Sequence, residues 1–582
     1  MKKCYTNDVM SIFENPFSST VETSFTGVGG RFPADFAWLT QTSNFALDYS
    51  YARYPYRIDL AQTIRDLAGV PMSETAGLEN GESAGLTNSG ALAARVAHQN
   101  WTVGQLELNA SSGNGTREDP WIIKDSEFGF LDLQGDNPGW TQFENCLFKD
   151  SSNFEFQARQ NFLGNLIFKN CEFTSTATNF WMMRFASAKG NVYRFENCHF
   201  KGKDATAIIG LWTDQMTDGE ELTVEMRNCV VDETDVNYDT DSSVINTFFD
   251  SDENVSIGIN IDIRHCEFTG NTGGENVIAI KGVDTFPSII FNNNHVEGFD
   301  SVIRNLESSY APLISNFECV NTYAEDCRKN IIFLANCKKG LLSNSEFRHT
   351  TTGQGYRTVV FRGYQSSELV ADLLGTGPEN IDVVHCIVDK QVGSFQAGDE
   401  NLESFNGKNI RFRWCWSPNS PEDPFEHARV IKNCTIEYCV GDNTEGQIAD
   451  FWMHFNESKW KNEDETDTLE QADIYCHHIY GDCKDYPVQI TSINGGAVHS
   501  IYADNSAAPA TSKVGLPIAS VLLRERISQS ITFKLRNIYV SGPLPLAADR
   551  ADKPVHMEGG ANLEARYFDN ESGSGSITIE TV

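Results

Sequence analysis

Phe143-Glu144-Asn145-Cys146-Leu147-Phe148 returns as Phe168-Lys169-Asn170-Cys171-Glu172-Phe173 and as Phe195-Glu196-Asn197-Cys198-His199-Phe200, with the cysteine in register each time. Looser copies follow at Asn228-Cys229, His265-Cys266, Phe291 to Val296, Asn344-Ser345-Glu346-Phe347, His385-Cys386, Asn433-Cys434 and Tyr475-Cys476. The first cysteine spacings are 25, 27, 31 and 37 residues, the pattern of coils that share a core and differ in their loops. Inside each phrase the apolar residues alternate as a strand requires, and the Asn falls where a tight bend needs a left-handed residue. Stacked coils then carry an internal Asn ladder, a Cys column and a Phe column.

The bulk properties fit one long domain, because in a solenoid each coil rests only on its neighbours. A net charge of −35 over 582 residues opposes a nucleic-acid partner. No apolar run reaches the roughly 18 residues of a membrane span, and Met1-Lys2-Lys3-Cys4 leads into no apolar core of a secretion signal. Of the 15 cysteines most occupy the same inward slot of successive coils, so they are expected as reduced thiols acting as small apolar fillers, with folding in the cytoplasm.

Three regions are expected: an N-terminal attachment or capping segment over 1–111, a solenoid over 112–545 and a C-terminal cap over 546–582. The first is small and mixed, with helices over Asp59 to Gly69 and Gly90 to His98. The solenoid opens on a turn at Asn114-Gly115-Thr116 and a strand at Trp121-Ile122-Ile123, and the last strand falls at Ser576 to Val582. The segment 390–425 is too irregular to divide into coils. This opening, with the Asn-Cys coils, resembles right-handed parallel β-helix proteins of the pectin lyase-like superfamily. The fold class expected is therefore all-β, a right-handed parallel β-helix. The superfamily holds polysaccharide lyases, glycoside hydrolases and phage tailspikes, so the resemblance implies a fold before it implies a reaction.

A second strand follows each Asn-Cys strand, around Arg184, Trp212, Phe248, Ile280, Arg304, Arg362, His454 and Arg524. On one face of a β-helix such strands align their outward residues into columns along which an extended polymer can lie. Arg184, Lys281, Arg304, Arg362 and Arg524 suggest a basic stripe for a uronate or sulfated sugar. The stretch from Glu275 to Asn305 resembles the alginate and chondroitin lyases of this fold, a resemblance that implies Lys281 as base and Arg304 as acid. Asp214, Asp250, Asp284 and Glu307 end successive strands. Adjacent coils would hold such carboxylates about 5 Å apart and alternate coils about 9.6 Å, which makes Asp250 and Asp284 the candidate pair of a glycosidase. Trp212 and His454 would add contacts to sugar rings. The competing reading is that the basic residues pair with nearby carboxylates and the acidic ones cap loops.

Three further motifs carry less. Gly81-Glu82-Ser83-Ala84-Gly85 spells an esterase elbow without its strand and helix. Cys476, His477, His478 and Cys483 have zinc-ligand types, but alternation sends neighbouring side chains to opposite faces. Asp232 to Asp241 has the composition of a calcium loop without its Gly. No cofactor or metal is expected, with calcium the one ion these acidic loops suggest.

The expected function is that of a tailspike-like virion protein, synthesised in the cytoplasm, which recognises and can depolymerise an extracellular polysaccharide. Its other partners would be virion proteins bound through the N-terminal segment and two further copies in a homotrimer. A non-catalytic structural or adhesive β-helix and a uronate-polymer lyase are the alternatives.

Overall fold

The structure, a computed structural model, describes backbone elements between Val96 and Thr581 and side chains between Leu106 and Ala449, both with interruptions. It is a right-handed parallel β-helix whose coils each visit three parallel ladders. A charged ladder includes Asp136–Glu144, Asn191–Glu196, Glu221–Arg227, Ile257–Arg264 and Gly407–Arg413. A sharp bend leads to a short ladder of mostly three-residue strands, such as Leu147–Lys149, His199–Lys201 and His295–Glu297. The third ladder, here the covered ladder, includes Trp181–Ser187, Ala207–Trp212, Ser243–Phe248, Asn276–Ile280, Ser301–Asn305, Val359–Arg362 and Ala449–Met453.

The bend follows from the chirality of the chain. An L-residue enters the left-handed region at a cost of about 1–2 kcal/mol, least for Asn because its short amide bonds locally. Asn145, Asn170, Asn197, Asn228, Asn293, Asn321 and Asn344 all sit there with φ between 49° and 57°. His265, His385 and Trp414 take the same place at φ 56°, 55° and 55°. The amides form a ladder between coils, as in Asn197 Nδ2 donating to Asn170 Oδ1 at 3.3 Å and Asn321 to Asn293 at 2.9 Å. The ladder runs along the surface, not internally as expected, since Asn170 is exposed.

The next residue fills the cysteine slot, which is occupied in turn by Cys146, Cys171, Cys198, Cys229, Cys266, Asn294, Thr322, Ser345, Cys386, Cys415 and Cys439. These are more than apolar fillers. The Cys198 thiol donates to the carbonyls of Phe168 at 3.4 Å and Glu196 at 3.5 Å, one on the preceding coil and one on its own. Ser345 Oγ donates to Ser343 O at 2.9 Å, Thr322 Oγ1 to Phe291 O at 3.1 Å and Asn294 Nδ2 to Ile263 O at 3.2 Å. The slot selects a small side chain with a donor. Cys434 and Cys476 are not in it: both lie within charged-ladder strands, and Cys439 is the slot residue of that coil. The 12 described cysteines are buried and unbridged.

Inside, two Phe columns stack at the coil repeat. Phe128, Phe148, Phe173 and Phe200 follow one another at 5.2, 4.7 and 4.8 Å, and Phe143, Phe168 and Phe195 at 5.3 and 4.9 Å. Beyond Phe200 the core turns largely aliphatic through Val224, Ile261, Ile289 and Ile303.

At the N-terminal end, Val96–His98 is a strand that pairs with Ser126–Phe128, which corrects the helix expected to reach His98. A short helix, Val103–Asn109, follows and sends Leu106 into the core. The turn at Asn114 is closed by Thr116 N donating to Asn114 Oδ1 at 3.1 Å, and the strand Trp121–Lys124 follows as expected. Asp59 to Gly69 lies outside the described residues. The segment 390–425 resolves into coils through Phe395–Ala397, Gly407–Arg413 and Trp416–Pro418. Phe568–Asn570 pairs with the covered ladder at Leu523, and Ile577–Thr581 is the final strand. Among the described residues no helix is long and apolar enough to cross a membrane.

Candidate functional site

The covered ladder carries the strands in which the basic stripe was expected, and its register tests the alignment. Arg184, Gly210, Asn246, Ala279, Arg304, Phe333, Val360, Gln396, Glu426 and Asp450 are successive backbone partners, one per coil. Arg184 and Arg304 therefore share a column. Arg362 does not join them, because it pairs with Ala335, two residues farther along the strand than Phe333. A one-residue shift would reverse a side chain's face; a two-residue shift keeps the face and changes the column. For Arg184 and Trp212 only the backbone is described, within Trp181–Ser187 and Ala207–Trp212. Lys281, Asp214, Asp250, Asp284, Glu307 and His454 lie outside the described residues, as do Gly81 to Gly85 and Thr234 to Asp241.

Arg304 is half-buried, and among the described residues it has no ion-pair partner. Other arginines are engaged. Arg362 lies 5.9 Å from the Phe333 ring centroid, and Arg117 lies 5.6 Å from that of Trp140. Between Arg184 and Arg304 the column holds Asn246, which is 0% exposed and whose amide atoms have no hydrogen-bond partner among the described residues. A buried amide left unpaired costs about 1–3 kcal/mol.

The expected open groove is not what the middle coils show. Asn276–Ile280 and Ile332–Ala335 are buried at every position, so both faces of these strands are shielded. Phe333 and Val360, on the outward column, are 6% and 4% exposed. Farther along, Glu426 is buried on this column with Arg357 as its ion-pair partner, and Gln396 Nε2 donates to its Oε1 at 3.4 Å. The guanidinium compensates a carboxylate that burial alone would not tolerate. Trp414 is a core residue at 1% exposure.

The charged ladder carries paired charges. Lys124–Glu144 at 3.0 Å, Lys169–Glu196 at 3.3 Å, Arg194–Glu225 at 2.5 Å and Arg227–Asp262 at 2.6 Å each join neighbouring coils, and Asp262 also takes Arg264 at 2.8 Å. Each such half-exposed pair contributes on the order of 0–1 kcal/mol.

One further group was not anticipated. On the outward side of the short ladder, His295, Glu297 and Glu325 bring ligand atoms within 4.8 Å of one another. The signal was present in the sequence: His295-Val296-Glu297 and Tyr323-Ala324-Glu325 each place two polar groups outward around one small apolar residue. Finding it required knowing that the two triplets are register neighbours, which Asn294 and Thr322 in the cysteine slot disguise.

No protein family matches this chain by its sequence pattern, and no curated protein and no solved structure matches it.

Proposed function

We propose that this protein is a tailspike-like β-helix of the pectin lyase-like type that binds an anionic extracellular polysaccharide along its covered ladder. The observation that carries the reading is Arg304: a half-buried guanidinium without an ion-pair partner among the described residues, in one column with Arg184. In a chain of net charge −35, a guanidinium left available suits a carboxylate or sulfate on the ligand. Successive coils about 4.8 Å apart offer regularly spaced positions to a polymer. The segment 1–111 would join the rod to other virion proteins, in a trimer. Where the polymer is a uronate, Lys281 would take the proton beside the carboxylate. The glycosidic C–O bond then breaks, an unsaturated uronate remains, and Arg304 would give the departing oxygen its proton.

A second reading, a non-catalytic structural or adhesive rod, is favoured by the shielding of both faces of Asn276–Ile280 and Ile332–Ala335. One experiment separates them. The purified chain is incubated with acidic and neutral bacterial and algal polysaccharides while binding, product size and ultraviolet absorbance are followed. Binding of acidic polymers alone, weakened in Arg304→Ala, supports the first reading, and new absorbance lost in Lys281→Ala adds lysis to it. Shortening without absorbance points to hydrolysis and to Asp250 and Asp284. Failure to bind any polymer leaves the rod.

A further inference from the structure

We infer that His295, Glu297 and Glu325 form a binding site for a divalent transition-metal ion of the zinc type, which clips two consecutive coils together. It stands apart from the covered ladder and does not depend on the polysaccharide reading. His295 and Glu297 are the outward residues of one short-ladder strand, and Tyr323 and Glu325 are their register partners on the next coil. The imidazole and two carboxylates place ligand atoms within 4.8 Å of one another, close enough to converge on one ion with a modest side-chain adjustment. Nε2 of His295 is shielded from solvent and has no hydrogen-bond partner among the described residues.

The surroundings hold the ligands in place. Tyr323 Oη donates to Glu325 Oε2 at 2.7 Å, the kind of outer contact that orients a ligating carboxylate. The Tyr323 ring lies 5.3 Å from that of His295, and the Arg348 guanidinium lies 5.9 Å from the centroid of the Tyr323 ring. Arg348 is held in turn by Glu346. The backbone beneath is fixed by Gly270 and Gly298, since a Cβ on Gly298 would stand 2.8 Å from Gly270 O and its φ is +76°.

Ligand chemistry selects the ion. One nitrogen with two carboxylates suits zinc, cobalt or nickel better than calcium or magnesium, which take oxygen shells. Three protein ligands leave a position open to water. Glu297 is exposed, so the group can be reached from solvent.

The full-length chain, freed of metal by chelation, would be titrated with zinc chloride by calorimetry and with cobalt chloride by visible absorption. The expected result is one equivalent of zinc lost in both His295→Ala and Glu297→Gln, with the cobalt ligand-field band lost alongside it. Tyr323→Phe keeps the equivalent and weakens it by roughly tenfold or more. Cysteines and histidines elsewhere can bind zinc, so the reading is the difference between wild type and variant. No zinc uptake by the wild type, or the same stoichiometry and cobalt spectrum in a folded His295→Ala/Glu297→Gln double variant, would overturn the inference. Binding of calcium with equal affinity would overturn the choice of metal.

Discussion

At the residue scale, the cysteine slot shows why these coils tolerate Ser, Thr and Asn where Cys is the rule. Thiol, hydroxyl and amide all reach carbonyls at the bend, so the slot is defined by size and by a donor. Cys198→Ser is expected to shift stability by no more than about 1 kcal/mol, whereas Cys198→Leu overpacks a site with 0% exposure and costs about 1–3 kcal/mol. Urea denaturation of the two variants checks both. Burial sets the protonation of this interior: it pushes the thiols of Cys319 and Cys337 up to about 12. Burial also pulls His427 down to about 4, and burial with the Arg413 charge pulls His385 to about 3. Both histidines are therefore neutral in the folded chain while the unfolded chain takes up protons near pH 6.5. Between those values the unfolded state binds more protons, so stability falls with falling pH, by about 2 kcal/mol per histidine at pH 5. Melting temperature measured from pH 8 to pH 5 should decline, and a His385→Asn/His427→Gln variant should decline less over the same range. Equal slopes would exclude the histidines as the cause.

At the scale of the element, one strand–bend–strand unit held most of what the sequence could tell. Asn145, Asn170 and Asn197 marked the left-handed bend and Phe143 and Phe148 the inward positions, because chirality and the two-residue period are local properties. Register between units is not local. The phrase therefore misassigned Cys434 and Cys476, missed Cys439, and grouped Arg362 with Arg304 although the two lie in different columns. Long-range shielding was equally invisible: Val277, Ile278, Ala279 and Ile280 read as a strand with one open face, and all four are buried. The site at His295 escaped for a related reason, since its third ligand comes from the next coil. Within the unit, the bend can be tested directly. Asn321→Gly keeps the left-handed conformation and loses only the 2.9 Å amide bond to Asn293, so it should cost a few tenths of a kcal/mol. Asn321→Val places a β-branched residue at φ 54° and should cost about 1–3 kcal/mol. Thermal unfolding that ranks the two in the opposite order would remove the bend as the reason for Asn.

At the scale of the whole molecule, the coils are a one-dimensional stack, and their composition changes along it. From Phe128 to Phe200 the interior is a double column of rings, each stacked on the next at the coil repeat and meeting the other column edge to face, as Phe148 meets Phe168 at 80°. Beyond it the interior is mostly aliphatic. Because each coil buries its apolar residues only against its neighbours, damage to one coil should travel a short distance. Phe168 lies between Phe143 and Phe195 and is fully buried, so Phe168→Ala removes stacking in both directions and is expected to destabilise its region by about 3–5 kcal/mol. Hydrogen exchange read by peptide fragments should then show lost protection in 143–148, 168–173 and 195–200. Ile381, Val383 and Phe412, many coils away, belong to strands whose amides bond only within their own neighbourhood, and their protection should stay at the wild-type level. Uniform loss along the chain would mean that the rod unfolds as one cooperative body. The stack would then owe its stability to coupling that reaches beyond adjacent coils.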